Sequence, residues 1–181
     1  CLMAQENMHL AKVIEQIRCV ICDLDGVLTD GALYLSDDSH EFKRFHVHDG
    51  LGLKLLIAAG IEVAVITTSR NAVVEQRMQQ LGITHFFTGQ VSKTRAFDEL
   101  KTRLNLNNQQ FAYIGDDLPD IAVMQQVGLS VAVANAQPEV KRIATWQTTQ
   151  IGGYGAVREV CNLILNTHHT LDAALASYLN T

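Results

Sequence analysis

Five short apolar runs alternate along the chain with longer segments of helical period. The runs cover 19–23, 62–67, 85–88, 111–114 and 129–134. The helical segments cover 51–59, 71–81, 93–104, 117–127 and 138–144. Continuous apolar strands that alternate with helices are typical of a parallel sheet that is covered on both faces. We therefore predict an α/β fold, with a Rossmann-like parallel sheet and helices on both of its faces.

One long interval interrupts this alternation directly after the first strand. Residues 29–48 contain the runs ALYLS and EFKRFHV, which are joined by polar residues. Two short alternating runs around a polar turn predict a small β-hairpin insertion. A C-terminal tail follows at about 150–181, with one or two amphipathic helices from about Gly155. We expect a single domain over residues 1–181.

Charge and hydropathy exclude several classes of function. The formal net charge is −5 and the sequence has no basic stripe, so we expect no nucleic-acid partner. No run approaches 18 apolar residues, so we expect no membrane span. The N-terminal segment lacks the apolar centre of a signal peptide, which favours a cytoplasmic location.

Acidic residues follow two of the predicted strands. Asp23 and Asp25 end the first strand as DLDG, and residues two apart on an extended chain point the same way. Asp116, Asp117 and Asp120 follow the fourth strand as GDDLPD. The carboxyl ends of parallel strands lie at one edge of the sheet, where ligands bind. Carboxylates that converge there repel one another unless a cation lies between them, and such oxygen ligands suit Mg²⁺.

Two further residues strengthen this interpretation. Thr67 follows the second strand, where a hydroxyl can cap a helix or donate to a phosphate. Lys93 begins a helix, and taken alone it is typical of a solvated surface. Together with the two acidic groups, they favour a site for phosphoryl transfer.

The motifs ICDLDGVLTDG, VITTSR, Lys93 and GDDLPD occur in the order found in the haloacid dehalogenase superfamily of phosphohydrolases, which this chain resembles. The resemblance implies that Asp23 attacks phosphorus to form an aspartyl phosphate. It implies that Asp25 protonates the leaving oxygen and then deprotonates water. It also implies that Mg²⁺ is held by Asp23, the Asp25 carbonyl and Asp116, with Asp117 and Asp120 in support. Thr67 and Lys93 would bind the phosphoryl group that is transferred.

The short insertion resembles that of the capless branch of the superfamily, typified by the 3-deoxy-D-manno-octulosonate 8-phosphate phosphatase family. Matching segments include EFKRFHVHDGLG, LGITHFFTGQ and GGYGAVREVCNLIL. The resemblance implies a small sugar-acid phosphate as substrate and a homotetramer whose active sites are completed by a neighbouring subunit. By resemblance, the substrate-facing residues are Asp25, His46, Val47, His48, Asp49, Gly50, Lys54, Arg77 and Lys93.

The sequence departs from that family at presumed substrate contacts. The family usually has Arg where His48, Lys54 and Tyr154 stand, and Gly-Arg where Thr68-Ser69 stand. A nonulosonate 9-phosphate is therefore an alternative substrate, because lysine and histidine do not grip a carboxylate as arginine does. A phospho-acceptor domain or an oligomerisation module is a non-enzymatic alternative. The DLDG motif on the first strand and the complete motif set disfavour both.

Overall fold

The computed structural model describes residues 2–38 and 41–179. The eight strands that it describes are β1 (Cys19–Cys22), β2 (Tyr34–Leu35), β3 (Glu41–Phe42), β4 (Glu62–Ile66), β5 (His85–Phe87), β6 (Phe111–Gly115), β7 (Leu129–Ala132) and β8 (Trp146–Gln147). The eight α-helices in those residues are α1 (Leu2–Glu15), α2 (Val47–Ala58), α3 (Ala72–Leu81), α4 (Lys93–Leu104), α5 (Ile121–Met124), α6 (Pro138–Ile143), α7 (Ala156–Thr167) and α8 (Leu171–Leu179).

Six strands form one parallel sheet in the order β5-β4-β1-β6-β7-β8. All four residues of β1 are buried, as the apolar run CVIC predicts for a central strand. Helix α7 contacts both α1 and α2, and α5 contacts both α4 and α6. The predicted α/β fold with a parallel sheet flanked by helices is confirmed.

The predicted hairpin is present but shorter than the sequence pattern indicates. β2 and β3 pair antiparallel over two residues each, and a bridge between Thr29 and Phe45 closes the base of the insertion. The turn residues 39–40 lie outside the described residues. The end of the run EFKRFHV belongs to α2, not to a strand. The His46 side chain accepts a hydrogen bond from the His48 N–H and so begins the helix four residues before the predicted start.

Other differences concern short elements. The predicted helix 117–127 is a 3₁₀ turn, Leu118–Asp120, followed by the four residues of α5. Strand β8 and helix α1 were not predicted, because a strand of two residues gives no period and the N-terminal sequence has few signals of a helix boundary. The C-terminal expectation is confirmed by α7 and α8. No helix in the described residues is both long and apolar enough to span a membrane.

Candidate active site

The ends of three adjacent central strands place the candidate residues at one edge of the sheet. Cys22 of β1 is in register with Val65 of β4 and Ile114 of β6. The chain therefore leaves these strands at a similar level, and Asp23, Thr67 and Asp116 follow within two residues of those positions. The convergence predicted from the sequence is confirmed.

Three carboxylates form a compact acidic group beneath this edge. Asp23, Asp116 and Asp120 each offer an oxygen, and these oxygens lie within 4.8 Å of one another. Asp23 and Asp120 are 8% and 1% exposed. The Asp116 Oδ1 atom is buried and has no hydrogen-bond partner among the described residues. A buried oxygen without a hydrogen-bond partner is unusual and needs an explanation. Clustered carboxylate oxygens are the ligands that a hard divalent cation prefers, so a bound cation would supply the missing partner.

Lys93 supplies the positive charge nearest to the proposed nucleophile. Its Nζ atom lies 2.5 Å from Asp23 Oδ1 and 2.8 Å from Asp120 Oδ1, and its side chain is 3% exposed. Burial alone would lower the pKa of Lys93, but attraction by the two carboxylates raises it. The ammonium group is therefore retained in the buried site, at the first residue of α4.

The acidic group carries an excess of negative charge in spite of Lys93. Burial, followed by repulsion from Asp120, raises the pKa of Asp23 to about 6. Burial, followed by repulsion from Asp23 and Asp120, raises the pKa of Asp116 to about 8. These directions are those expected for carboxylates that share a site without a cation. A divalent ion among them would offset both causes.

Asp120 is the centre of the hydrogen bonds that shape the loop after β6. Its Oδ2 atom accepts from the backbone N–H groups of Asp116, at 2.9 Å, and Asp117, at 3.2 Å. Its Oδ1 atom accepts from the hydroxyl of buried Tyr113, at 2.7 Å, and from Lys93. The Asp117 side chain accepts from Leu118 N–H and is exposed. Asp120 thus shapes the loop after β6 and Asp117 caps the 3₁₀ turn, and their support of a metal ion stays a prediction.

A cavity of about 280 Å³ opens beside these groups. The residues that line it are Asp23, Asp25, Gly31, Thr68, Lys93, Asp116, Asp117, Pro119 and Asp120. Thr67 lies behind this lining, 1% exposed, and its hydroxyl oxygen accepts from Ser69 N–H at 3.0 Å. The neighbouring Thr68 is the threonine that borders the cavity. The acidic residues and Lys93 thus form a small, polar opening.

Lys43 was missed by the sequence analysis. Its Nζ atom lies 2.6 Å from Asp25 Oδ1 and 2.9 Å from Glu41 Oε1. Burial alone would lower the pKa of Lys43, but hydrogen bonds to these two carboxylates raise it. The signal was the alternation in the run EFKRF, which places Lys43 on the same side as Glu41. Alternation shows which residues share a side but does not show that this side faces the DLDG turn.

Apart from Asp25 and Lys93, the residues expected to contact substrate by resemblance do not line this cavity in the single chain. Val47 is 72% exposed, and Lys54 is also exposed. His48 borders a different depression of about 390 Å³, together with Tyr154 and Arg158. None of these residues lines the cavity at the acidic group.

Asp49 and Gly50 are buried and contact other parts of the chain. Asp49 is 1% exposed, and its carboxylate accepts from the backbone N–H groups of Gly155 and Arg158 at the start of α7. Gly50 is buried against the Arg77 side chain. A Cβ at this position would lie 2.6 Å from an Arg77 guanidinium nitrogen, so there is no room for a larger residue. In the single chain the Asp49 carboxylate thus caps α7, and its contact with substrate stays a prediction.

Comparison with known proteins places the chain in a family. Residues 75–158 match the model of haloacid dehalogenase-like hydrolases. The 3-deoxy-D-manno-octulosonate 8-phosphate phosphatase of Yersinia pestis is 49% identical over 158 residues, which are 87% of this chain and 84% of the relative. The chain belongs to this phosphatase family of the haloacid dehalogenase superfamily.

Solved structures of the superfamily share the whole architecture. A Legionella pneumophila structure, described as a subfamily III A hydrolase, has 54% identity and a TM-score of 0.95, and the match covers 99% of this chain and 98% of that one. The 3-deoxy-D-manno-octulosonate 8-phosphate phosphatase of Moraxella catarrhalis has 38% identity and a TM-score of 0.91, over 93% and 97% of the chains. That phosphatase was solved in complex with a magnesium ion, a phosphate ion and a KDO molecule, which is a sugar acid.

Proposed function

We propose that this chain is a magnesium-dependent phosphatase that hydrolyses 3-deoxy-D-manno-octulosonate 8-phosphate through an aspartyl phosphate. The observation that carries the proposal is the acidic group of Asp23, Asp116 and Asp120, joined by Lys93 at the strand ends. Family membership supports the substrate class. The Moraxella catarrhalis complex with magnesium, phosphate and sugar acid supports the ligands.

Magnesium would be held by Asp23, Asp116 and the Asp25 backbone carbonyl, where it would neutralise charge on the phosphate and on the acids. The unpartnered Asp116 Oδ1 and the raised pKa of Asp116 fit this role. Lys93 would bind an equatorial phosphate oxygen while it keeps Asp23 ionised. Thr67 or Thr68 would donate a hydroxyl to another of these oxygens.

The chemistry divides into two displacements at phosphorus. First, an Asp23 carboxylate oxygen bonds to phosphorus while the bond to the sugar oxygen breaks, and Asp25 gives that oxygen a proton. Second, a water oxygen bonds to phosphorus while the bond to Asp23 breaks, and Asp25 takes the proton of the water. One residue thus acts as acid and then as base, and it is regenerated after each turnover.

The test is phosphate release from a panel of sugar phosphates, with and without Mg²⁺. The panel contains 3-deoxy-D-manno-octulosonate 8-phosphate, a nonulosonate 9-phosphate, and glucose 6-phosphate as a sugar without a carboxylate. We expect the first substrate to have the highest kcat/KM, and Asp23→Asn to lower kcat by on the order of 10⁴-fold or more. Asp98→Asn, on an exposed part of α4, is the matched control.

Two results would contradict this proposal in different ways. Full turnover by the Asp23→Asn variant would exclude Asp23 as the nucleophile. A preference for the nonulosonate 9-phosphate would keep the mechanism and change the substrate. The second result is a specific alternative because His48, Lys54, Ser69 and Tyr154 stand where the family usually has arginine.

We further propose that the chain assembles as a homotetramer through its hairpin, with the residues from His46 to Gly50, Lys54 and Arg77 near the active site of a neighbouring subunit. Several large apolar side chains of the hairpin region are exposed in the single chain, and a cluster of this kind is typical of an interface. They are Leu33 (73%), Leu35 (74%), Phe42 (62%) and Val47 (72%). Light scattering that gives the mass of one chain at micromolar concentration would contradict the assembly.

A further inference from the structure

Lys43 connects the hairpin insertion to the proposed acid and base. Its Nζ atom lies 2.6 Å from Asp25 Oδ1, although 18 residues separate the two in sequence. The side chain of Lys43 is 3% exposed, whereas that of Asp25 is 38% exposed. A lysine ammonium is seldom buried unless it is paired, because its desolvation is costly. The pair is therefore a built contact and not a mobile ion pair of the surface.

The Asp25 carboxylate has few other supports. Among residues 2–38 and 41–179, Lys43 is the side chain that hydrogen-bonds to it. Asp25 lies in the tight turn Leu24–Leu28, where its backbone has φ −78° and ψ 116° and the next residue, Gly26, has a positive φ. The turn places the carboxylate at the cavity, where its orientation needs a restraint from another element. The hairpin supplies that restraint.

Lys43 is in turn held by Glu41 of β3, which itself contacts Asn71. Glu41 Oε1 accepts from Lys43 at 2.9 Å, and Glu41 Oε2 accepts from the side-chain amide of Asn71 at 3.3 Å. Asn71 also caps α3, since its side-chain oxygen accepts from Val73 N–H. A series of side-chain contacts from Asp25 through Lys43 and Glu41 to Asn71 thus connects the turn after β1 to the start of α3.

We propose that Lys43 is the positioning residue that orients Asp25 for proton transfer, with Glu41 holding Lys43 in place. The inference rests on the proposed function. The Lys43 ammonium binds Oδ1 of Asp25 and leaves Oδ2 as the oxygen that carries the proton. In the first displacement that proton goes to the sugar oxygen as its bond to phosphorus breaks. In the second, Asp25 takes a proton from water, and Lys43 keeps its own protons throughout.

Substrates with different leaving groups can show whether Lys43 positions Asp25 or only stabilises the fold. A sugar alcohol leaves only with a proton, so its release depends on an oriented Asp25. A p-nitrophenolate is stable as an anion and leaves without one. Loss of Lys43 should therefore slow the first displacement for the sugar phosphate and spare it for p-nitrophenyl phosphate.

The experiment measures first-turnover release of each leaving group by rapid quench, using the full chain with Mg²⁺. For Lys43→Met we expect release of the sugar to fall about 10²-fold or more, as for loss of a proton donor, and release of p-nitrophenolate to change less than about threefold. Lys43→Arg, which keeps the charge but not the shape, should recover part of the loss. Lys101→Met is the matched control, since Lys101 is a paired lysine on α4 that contacts Asp98 and Phe97 instead of Asp25.

Asp25→Asn and the double variant with Lys43→Met distinguish the possible failures. If Asp25→Asn slows both leaving groups equally, the proposed acid role of Asp25 is wrong and the inference goes with it. If Asp25→Asn slows only the sugar, but Lys43→Met slows both equally or neither, the Lys43 inference alone is overturned. If Lys43 acts through Asp25, then adding Lys43→Met to the Asp25→Asn variant should not slow release of the sugar any further relative to release of p-nitrophenolate. A further selective slowing would overturn the inference. Lys43→Arg keeps the test valid if Lys43→Met does not fold.

Discussion

Asp49 Oδ1 accepts a hydrogen bond from the backbone N–H of Arg158 at 2.8 Å, which joins the first turn of α2 to the first turn of α7. The second oxygen accepts from Gly155 N–H at 3.3 Å. Helices begin with N–H groups that have no partner within the helix, and a carboxylate there satisfies them and favours the positive end of the helix dipole. Asp49 thus holds together two helices that contact each other extensively.

Asp49→Ala should accordingly destabilise the fold more than it affects substrate binding. Loss of the acceptor leaves two backbone donors without a partner, and we expect the free energy of unfolding to fall by about 1–3 kcal/mol. Urea denaturation measures this change, and steady-state kinetics of the folded variant should give a KM close to that of the parent. Asp49→Asn keeps one oxygen acceptor and should recover part of the stability. A large rise in KM with unchanged stability would instead support a substrate contact.

The sequence could predict the acidic residues of the site because Asp23 and Asp25 follow β1, and Asp116 and Asp120 follow β6, within a few residues. Their convergence needs only the rule that parallel strands end at one edge. Lys43 and Asp49 differ, because their partners lie 18 and 109 residues away and the contacts depend on how an insertion and a terminal helix pack. Periodicity can predict which side of a segment is buried, but it cannot predict which distant group lies there.

Magnesium should stabilise the protein more at high pH than at low pH. The pKa of Asp116 is raised to about 8 and that of Asp23 to about 6 in the metal-free fold, against an ordinary value of 3.8. The folded state therefore holds more protons than the unfolded state across this range, and metal-free stability is lost as pH rises from about 4 to about 8. A bound cation favours the ionised carboxylates, so the protein with bound metal should not lose stability over this pH range.

Thermal unfolding at pH 5 and pH 8, with and without Mg²⁺, measures this effect. At 100 times the Kd, the stabilisation should be about 2.7 kcal/mol, and the shift in Tm should be smaller at pH 5. Asp116→Asn should abolish the shift at both pH values, whereas Asp98→Asn on α4 should retain it. An equal shift at both pH values would contradict the proposed ionisation of the acidic group.

Gly26→Ala should weaken metal binding. Gly26 has φ +90°, and a Cβ there would collide with the Asp116 carboxylate. The substitution therefore adds backbone strain of about 1–2 kcal/mol and also displaces a metal ligand. We expect the affinity for Mg²⁺, measured by calorimetry, to fall at least about tenfold, since the ligand must move from its position.

Gly60→Ala is the matched control for that substitution. Gly60 has a similar φ of +80°, but a Cβ there would contact nothing within 4 Å. This variant should lose stability through backbone strain alone and bind Mg²⁺ as the parent does. If both variants bind Mg²⁺ normally, the contact between Gly26 and Asp116 does not matter for the metal site.

Tyr113→Phe tests whether the hydrogen bonds around Asp120 keep the acidic group in place. Burial raises the pKa of Tyr113 well above its ordinary value, so its hydroxyl remains a donor to Asp120 Oδ1 over the working pH range. Without it, Asp120 keeps Lys93 and the two backbone donors but can shift toward Asp23. Hydrogen bonds to charged groups contribute about 1.5–3 kcal/mol, so we expect kcat to fall about tenfold or more, with a smaller change in KM. Asp98→Asn on α4 is the control, because this exposed carboxylate pairs with Lys101 and not with the acidic group, so kcat should not change. Equal kinetics for Tyr113→Phe and the parent would show that Asp120 is held adequately by Lys93 and the backbone alone.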